Sequence, residues 1–145
     1  MGLFDFIKET GKAVGIVDDA GAGDRLKKEI LAMNLPVEEL AVNFAGGLAR
    51  ISGRVDTQEN REKVILAAGN VAGVEQVEDN LMVDEEAPQA LFHTVTRGDT
   101  LSAIAKTYYG NAMKYMVIFK ANQPMLENPD RIYPGQVLRI PELED

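Results

Sequence analysis

Between residues 84 and 91 the chain reads DEEAPQAL, three acids and a proline without apolar periodicity, and this break limits what its 145 residues can fold into. It separates two blocks that must each bury a core, so two very small domains are expected rather than one ordinary one. With 46% hydrophobic and 26% charged residues there is enough apolar material for both. Residues 84–91 read as a linker.

The first block opens with an arm, residues 1–23, where Leu3, Phe6, Ile7, Val14 and Val17 stand among charges before the run DDAGAGD. That pattern predicts an amphipathic arm and a flexible hinge. Asp24 is placed to cap a helix whose Leu26, Ile30 and Met33 share one face, and Pro36 ends the run. Leu40, Val42 and Phe44 then alternate, Gly46-Gly47 supplies a tight turn, and Ala49, Ile51, Gly53 and Val55 alternate on the return. Asp56 with Glu59 has the form of a capping box for a second helix through Val64, Ile65 and Ala68, which Gly69 is placed to stop. A last strand turns Val77, Leu81 and Val83 inward. Residues 24–83 thus predict an α+β unit of order αββαβ, a small sheet covered on one face by two helices.

The second block, residues 92–145, predicts the order βααβ. Phe92 to Thr96 is a strand, and Thr100 caps a helix with Leu101, Ile104, Ala105 and Tyr108 on one stripe before Gly110. A second helix aligns Tyr115, Ile118, Phe119 and Asn122. Pro134-Gly135 suits a type II turn, and Val137 to Pro141 returns as the closing strand. By spacing, most of Tyr108, Tyr109, Tyr115, Phe119 and Tyr133 belong to a core, and only Tyr109 and Tyr133 are candidates for exposure.

Several function classes are disfavoured. A net charge of -8 without a lysine or arginine cluster argues against nucleic acid, while enriching cations near the surface without choosing among them. Without cysteine there is no disulfide, thiolate metal site or cysteine nucleophile. Asp5, Lys8, Glu9 and Lys12 interrupt the opening MGLFDFIKETGKAVG, so no secretory signal is expected. Phe6 stands where a myristoylation motif wants Ser or Thr, and no segment is long enough to span a bilayer. The expectation is a cytoplasmic monomer without membrane insertion. A calcium loop from Asp18 through Gly23 to Glu29 fails because Ala20 and Ala22 occupy ligand positions. His93 has no second histidine or nearby cysteine and reads as structural. The pairs Asp18-Asp19, Glu38-Glu39 and Glu85-Glu86 read as solvated turns. Ser52 and Ser102 lack a nucleophile elbow, and Gly46-Gly47 is too short to cradle phosphate. No enzyme is expected.

Residues 91–141, with FHTVTRGDTLSAIAKTYYG and FKANQPMLENPDRIYPGQVLRIP, are very similar to the LysM family. Residues 24–83, with the Gly-Gly hairpin and the close LAAGNVAGVEQVEDNL, resemble the BON family. In this order behind an MGLFDF start, the two resemble a family of small potassium-binding bacterial proteins. The LysM resemblance implies a shallow groove for N-acetylglucosamine polymers, formed here by Gly98, Asp99, Thr100 and Leu101 and by the loop from Asn122 to Ile132. Asp99 and Thr100 also suit a helix cap, and that structural use is the preferred reading.

The joint resemblance implies instead one potassium ion, selected over sodium and held by main-chain carbonyls. The helix-end donors would lie in GNVAGV at Gly69, Val71 and Val74, and the arm donors near Ile7, Thr10 and Lys12. Physical chemistry is compatible with this: a helix leaves its last carbonyls unpaired at the negative end of its dipole, and neutral carbonyl dipoles can replace the water of a large, weakly hydrated ion. The preferred expectation is a potassium sensor, with a role in potassium homeostasis, whose BON and LysM domains change arrangement on binding. The alternative is an adaptor that binds peptidoglycan or a related glycan through LysM, or a protein partner.

Overall fold

The computed structural model describes residues 2–6, 12–15 and 21–143. In chain order the elements are strands β1 (Gly2–Asp5) and β2 (Lys12–Gly15), helix α1 (Ala22–Leu31), strands β3 (Val37–Ala45) and β4 (Leu48–Thr57), helix α2 (Gln58–Gly69), strands β5 (Val71–Ala72), β6 (Gln76–Glu85) and β7 (Leu91–Thr94), helices α3 (Leu101–Tyr109) and α4 (Tyr115–Ala121), and strand β8 (Val137–Ile140). The predicted αββαβ and βααβ units are both present.

The first unit is a four-stranded sheet of order β1-β6-β4-β3. β3 and β4 form the predicted antiparallel hairpin, and its turn residues Gly46 and Gly47 take φ of +57° and +80°, a conformation that suits a two-residue turn between right-twisted strands. β4 and β6 run parallel, with α2 as the crossover. Alternation works as expected: Ala49, Ile51 and Val55 of β4 and Val77 and Leu81 of β6 are buried against Leu26, Ile30 and Ile65 of the helices. Asp79 also points into this layer, where Arg61 neutralises it at 2.7 Å.

Four local expectations shift. Residues 2–5 are more than an amphipathic arm: they form an edge strand antiparallel to β6, and Phe6 beyond them is buried. The backbone groups of a sheet edge seek partners, and the arm supplies them. Helix α1 begins two residues before the expected cap, at Ala22, because Ala22 is itself a buried core residue, and Asp24 falls in the first turn. The cap of α2 is Thr57, whose hydroxyl accepts the Asn60 amide at 3.2 Å, while Asp56 braces the cap by accepting the Thr57 amide at 2.9 Å. Gly69 does not close α2 in a left-handed conformation; it is the last helical residue, Asn70 follows as the cap at φ −83°, and the positive φ of +97° belongs to Gly73. Val17 and Asp18 lie outside the described residues.

In the second unit β7 and β8 pair antiparallel, and α3 and α4 cover them. Thr100 caps α3 through the Ala103 amide at 3.1 Å and Gly110 closes it, as the sequence predicts. Gly135 has φ +90° and the Gln136 amide donates to the Tyr133 carbonyl at 3.1 Å, the geometry of the expected type II turn. Two tyrosines exchange roles. Tyr108 is exposed and touches His93 edge-on, whereas Tyr109 packs on the core and donates to the Pro141 carbonyl.

The linker is shorter than residues 84–91, since β6 runs through Glu85 and β7 starts at Leu91. It ends tethered, because the Ala90 amide donates to Glu62 at 3.0 Å. The two units pack on each other through β8, whose four residues are all buried. Leu138 and Ile140 point into the LysM-like core, while Val137 joins the core of the first unit and Arg139 reaches into helix α2. One strand of period two therefore serves as a wall for both cores.

Candidate functional site

Helix α2 ends on a bend, residues 69–74, in which Val71 and Val74 are buried. The Val74 amide donates to the Val71 carbonyl at 3.1 Å, closing a tight turn. A carbonyl has two lone pairs, and the Val71 oxygen uses one of them here. Among the described residues no backbone amide donates to the Val74 carbonyl.

The arm comes to this bend from two directions. Strand β2 runs parallel to β5, with Lys12 opposite Val71 and Gly15 opposite Ala72. The Phe6 amide donates to the Glu75 carbonyl at 2.9 Å, and the Phe6 ring lies directly on Gly69: a Cβ built there would fall within the ring. Hence Lys12, Gly69, Val71 and Val74, four of the candidate carbonyl donors, share one neighbourhood, and the two arm donors Ile7 and Thr10 lie outside the described residues. Among the described residues no three His, Cys, Asp or Glu side chains cluster as a metal site. Main-chain carbonyls are neutral donors, a chemistry suited to a large monovalent cation rather than to magnesium or calcium, which take water or carboxylate oxygens.

The LysM-side candidates are differently placed. Gly98 and Thr100 are exposed, but Leu101 is in the core and Ile132 packs on it. The Asn122 side chain is buried and used up internally: it donates to the Ile118 and Arg139 carbonyls at 2.8 and 3.0 Å and accepts the Arg139 amide at 2.8 Å. Asp99 accepts the Thr96 amide at 2.9 Å and a 3.0 Å contact from His93, whose other nitrogen meets Tyr108 at 3.0 Å. Burial pushes the Asp99 carboxyl up, but the bonds from Thr96 and His93 outweigh it and hold the group below the usual carboxylate range. The beginning of the 122–132 loop faces the first unit, where Pro124 and Met125 line a narrow cavity with Met33, Leu35 and Leu66.

Sequence reasoning missed the polar groups that join the units. Glu62 is fully buried in α2 and meets Arg139 of β8 at 2.8 Å, with the Gln58 amide donating to its other oxygen at 2.8 Å. Asn70, buried at the end of the same helix, pairs with both backbone groups of Val137. A signal was present in VILAAG: six consecutive apolar or small residues on a helix imply cover on more than one side. The sheet takes one side of α2 and β8 takes the other.

No helix among the described residues is long and apolar enough to cross a membrane. Residues 18–85 match the BON domain family model and residues 93–141 the LysM domain model. The whole chain is similar to the "Potassium binding protein Kbp" of Escherichia coli O6:H1, 41% identical over 98% of this chain and 99% of that protein. It is also similar to an uncharacterized protein of Deinococcus radiodurans, 34% identical over 83% of this chain and 56% of that longer protein.

Proposed function

This chain belongs to the family of the potassium binding protein Kbp, a BON domain followed by a LysM domain, and from that premise we propose that it binds and senses a potassium ion in the cytoplasm, as a monomer and without catalysis. The ion is held by main-chain carbonyls of Gly69, Val71 and Val74, completed by arm carbonyls near Ile7, Thr10 and Lys12. The observation that carries this reading is the run of β2 alongside β5, which sets Lys12 opposite Val71 although they are far apart in sequence. An ion held between arm and bend favours the closed arrangement of the arm, and because the bend also abuts β8, it favours one arrangement of the BON and LysM domains.

Calorimetry of the full chain with potassium and with sodium chloride tests the binding. A saturable one-site isotherm is expected for potassium and none for sodium at equal ionic strength; no heat from potassium refutes the reading. Small-angle scattering tests the rearrangement, which is excluded by identical profiles with and without saturating potassium. Heat from muropeptide fragments in a protein indifferent to potassium would favour a glycan adaptor working through the exposed Gly98 and Thr100.

A further inference from the structure

The ion bend and the LysM domain meet at one side chain. Asn70 lies between two candidate donors, Gly69 and Val71, yet its own side chain points away from the bend and is 4% exposed. Its Oδ1 accepts the Val137 amide at 2.8 Å and its Nδ2 donates to the Val137 carbonyl at 2.9 Å. That is the two-bond pattern of a β-ladder rung, with a side-chain amide in place of a strand. Nδ2 also approaches Met125 Sδ at 3.1 Å.

The backbone of Asn70 is held as well, because its amide donates to the Leu66 carbonyl at 3.0 Å. The Gly69 carbonyl shares a planar peptide with that amide and points the opposite way, off the end of α2. Fixing residue 70 at both amide and side chain therefore fixes the direction of the neighbouring carbonyls. Neither aspartate, which lacks the donor, nor serine, which is too short, could make both bonds.

We propose that Asn70 is the positioning residue of the ion site: through its paired bonds to Val137, strand β8 of the LysM domain orients the carbonyls that take the cation. The inference rests on the potassium reading above and names the group that links the ion to the second domain. Such a link is reciprocal, so if the Asn70 clamp favours binding, the ion must tighten the clamp by the same factor.

Two measurements on the full chain test it, with potassium and sodium chloride as probes. Calorimetry should show Asn70→Ala binding potassium at least about tenfold more weakly than the wild type, within the range usual for coupled sites. Independently of whether that variant folds, hydrogen exchange at the Val137 amide of the wild-type protein should slow by a similar factor in saturating potassium and not in sodium. If the wild type gives no potassium heat, the ion reading itself fails. If the wild type binds, equal affinity of a folded Asn70→Ala variant, or a Val137 exchange rate indifferent to potassium, overturns the positioning role.

Discussion

Gly69→Ala should lower both the stability and the potassium affinity of this protein, although alanine is the better helix former. The position is the last residue of α2, so propensity alone predicts a gain of about 1 kcal/mol. The added methyl group, however, would occupy the place of the Phe6 ring. Phe6 sits just past a short edge strand, so the ring can leave more easily than the helix can move. Losing its burial costs about 1.5–3 kcal/mol, which leaves a net loss of about 0.5–2 kcal/mol. Since Phe6 precedes the arm donor Ile7, the same expulsion detaches the arm, and affinity should fall by about tenfold or more, a loss of about 1.4 kcal/mol. Val71→Ala should by contrast leave affinity close to wild type, because carbonyl donors survive a side-chain change. Thermal melts and calorimetry decide: a higher melting temperature for Gly69→Ala would show that Phe6 is not seated there in solution.

Arg139→Leu should be the most destabilising single change at the domain junction. Glu62 is 0% exposed, and its carboxylate depends on Arg139 for charge compensation and on Gln58 and Ala90 for two further hydrogen bonds. Removing one partner of a buried pair costs about 3–5 kcal/mol, whereas replacing both by apolar groups is often neutral. Glu62→Leu combined with Arg139→Leu should therefore recover most of what the single change loses, a coupling that a double-mutant cycle in urea measures directly. Additive losses would mean that the pair is solvated and that the BON and LysM domains do not pack through β8 in solution. The pair also bears on function, since it and Asn70, with a longer 3.9 Å approach of Glu59 to Arg139, tie α2 and its C-terminal cap to β8.

Wherever a rule acts over a few residues, this sequence was readable. Gly46-Gly47 could be recognised as a hairpin turn, Thr100 as a cap, Pro134-Gly135 as a turn, and the alternations of β4 and β6 as inward faces, because each depends only on near neighbours and on backbone sterics. Where two local solutions competed, the reading slipped by a residue or two: Thr57 took the cap from Asp56, and Tyr109 took the core place expected of Tyr108. The bend after α2 was legible as a candidate ion site only through the family resemblance, since by itself a glycine near a helix end reads as an ordinary cap.

The remaining features belong to the tertiary structure. Phe6 against Gly69, Lys12 opposite Val71, Asn70 on Val137 and Glu62 with Arg139 each join positions separated by tens of residues, and nothing in either local pattern specifies the other. Their pairing is set by what is left unsatisfied after local structure forms: an open sheet edge, a helix apolar on two sides, a buried carboxylate and a strand with two inward faces. Composition and periodicity thus determined two small cores and their order along the chain. Packing decided that those cores share β8, and that the arm, the bend and the second domain converge on the end of one helix.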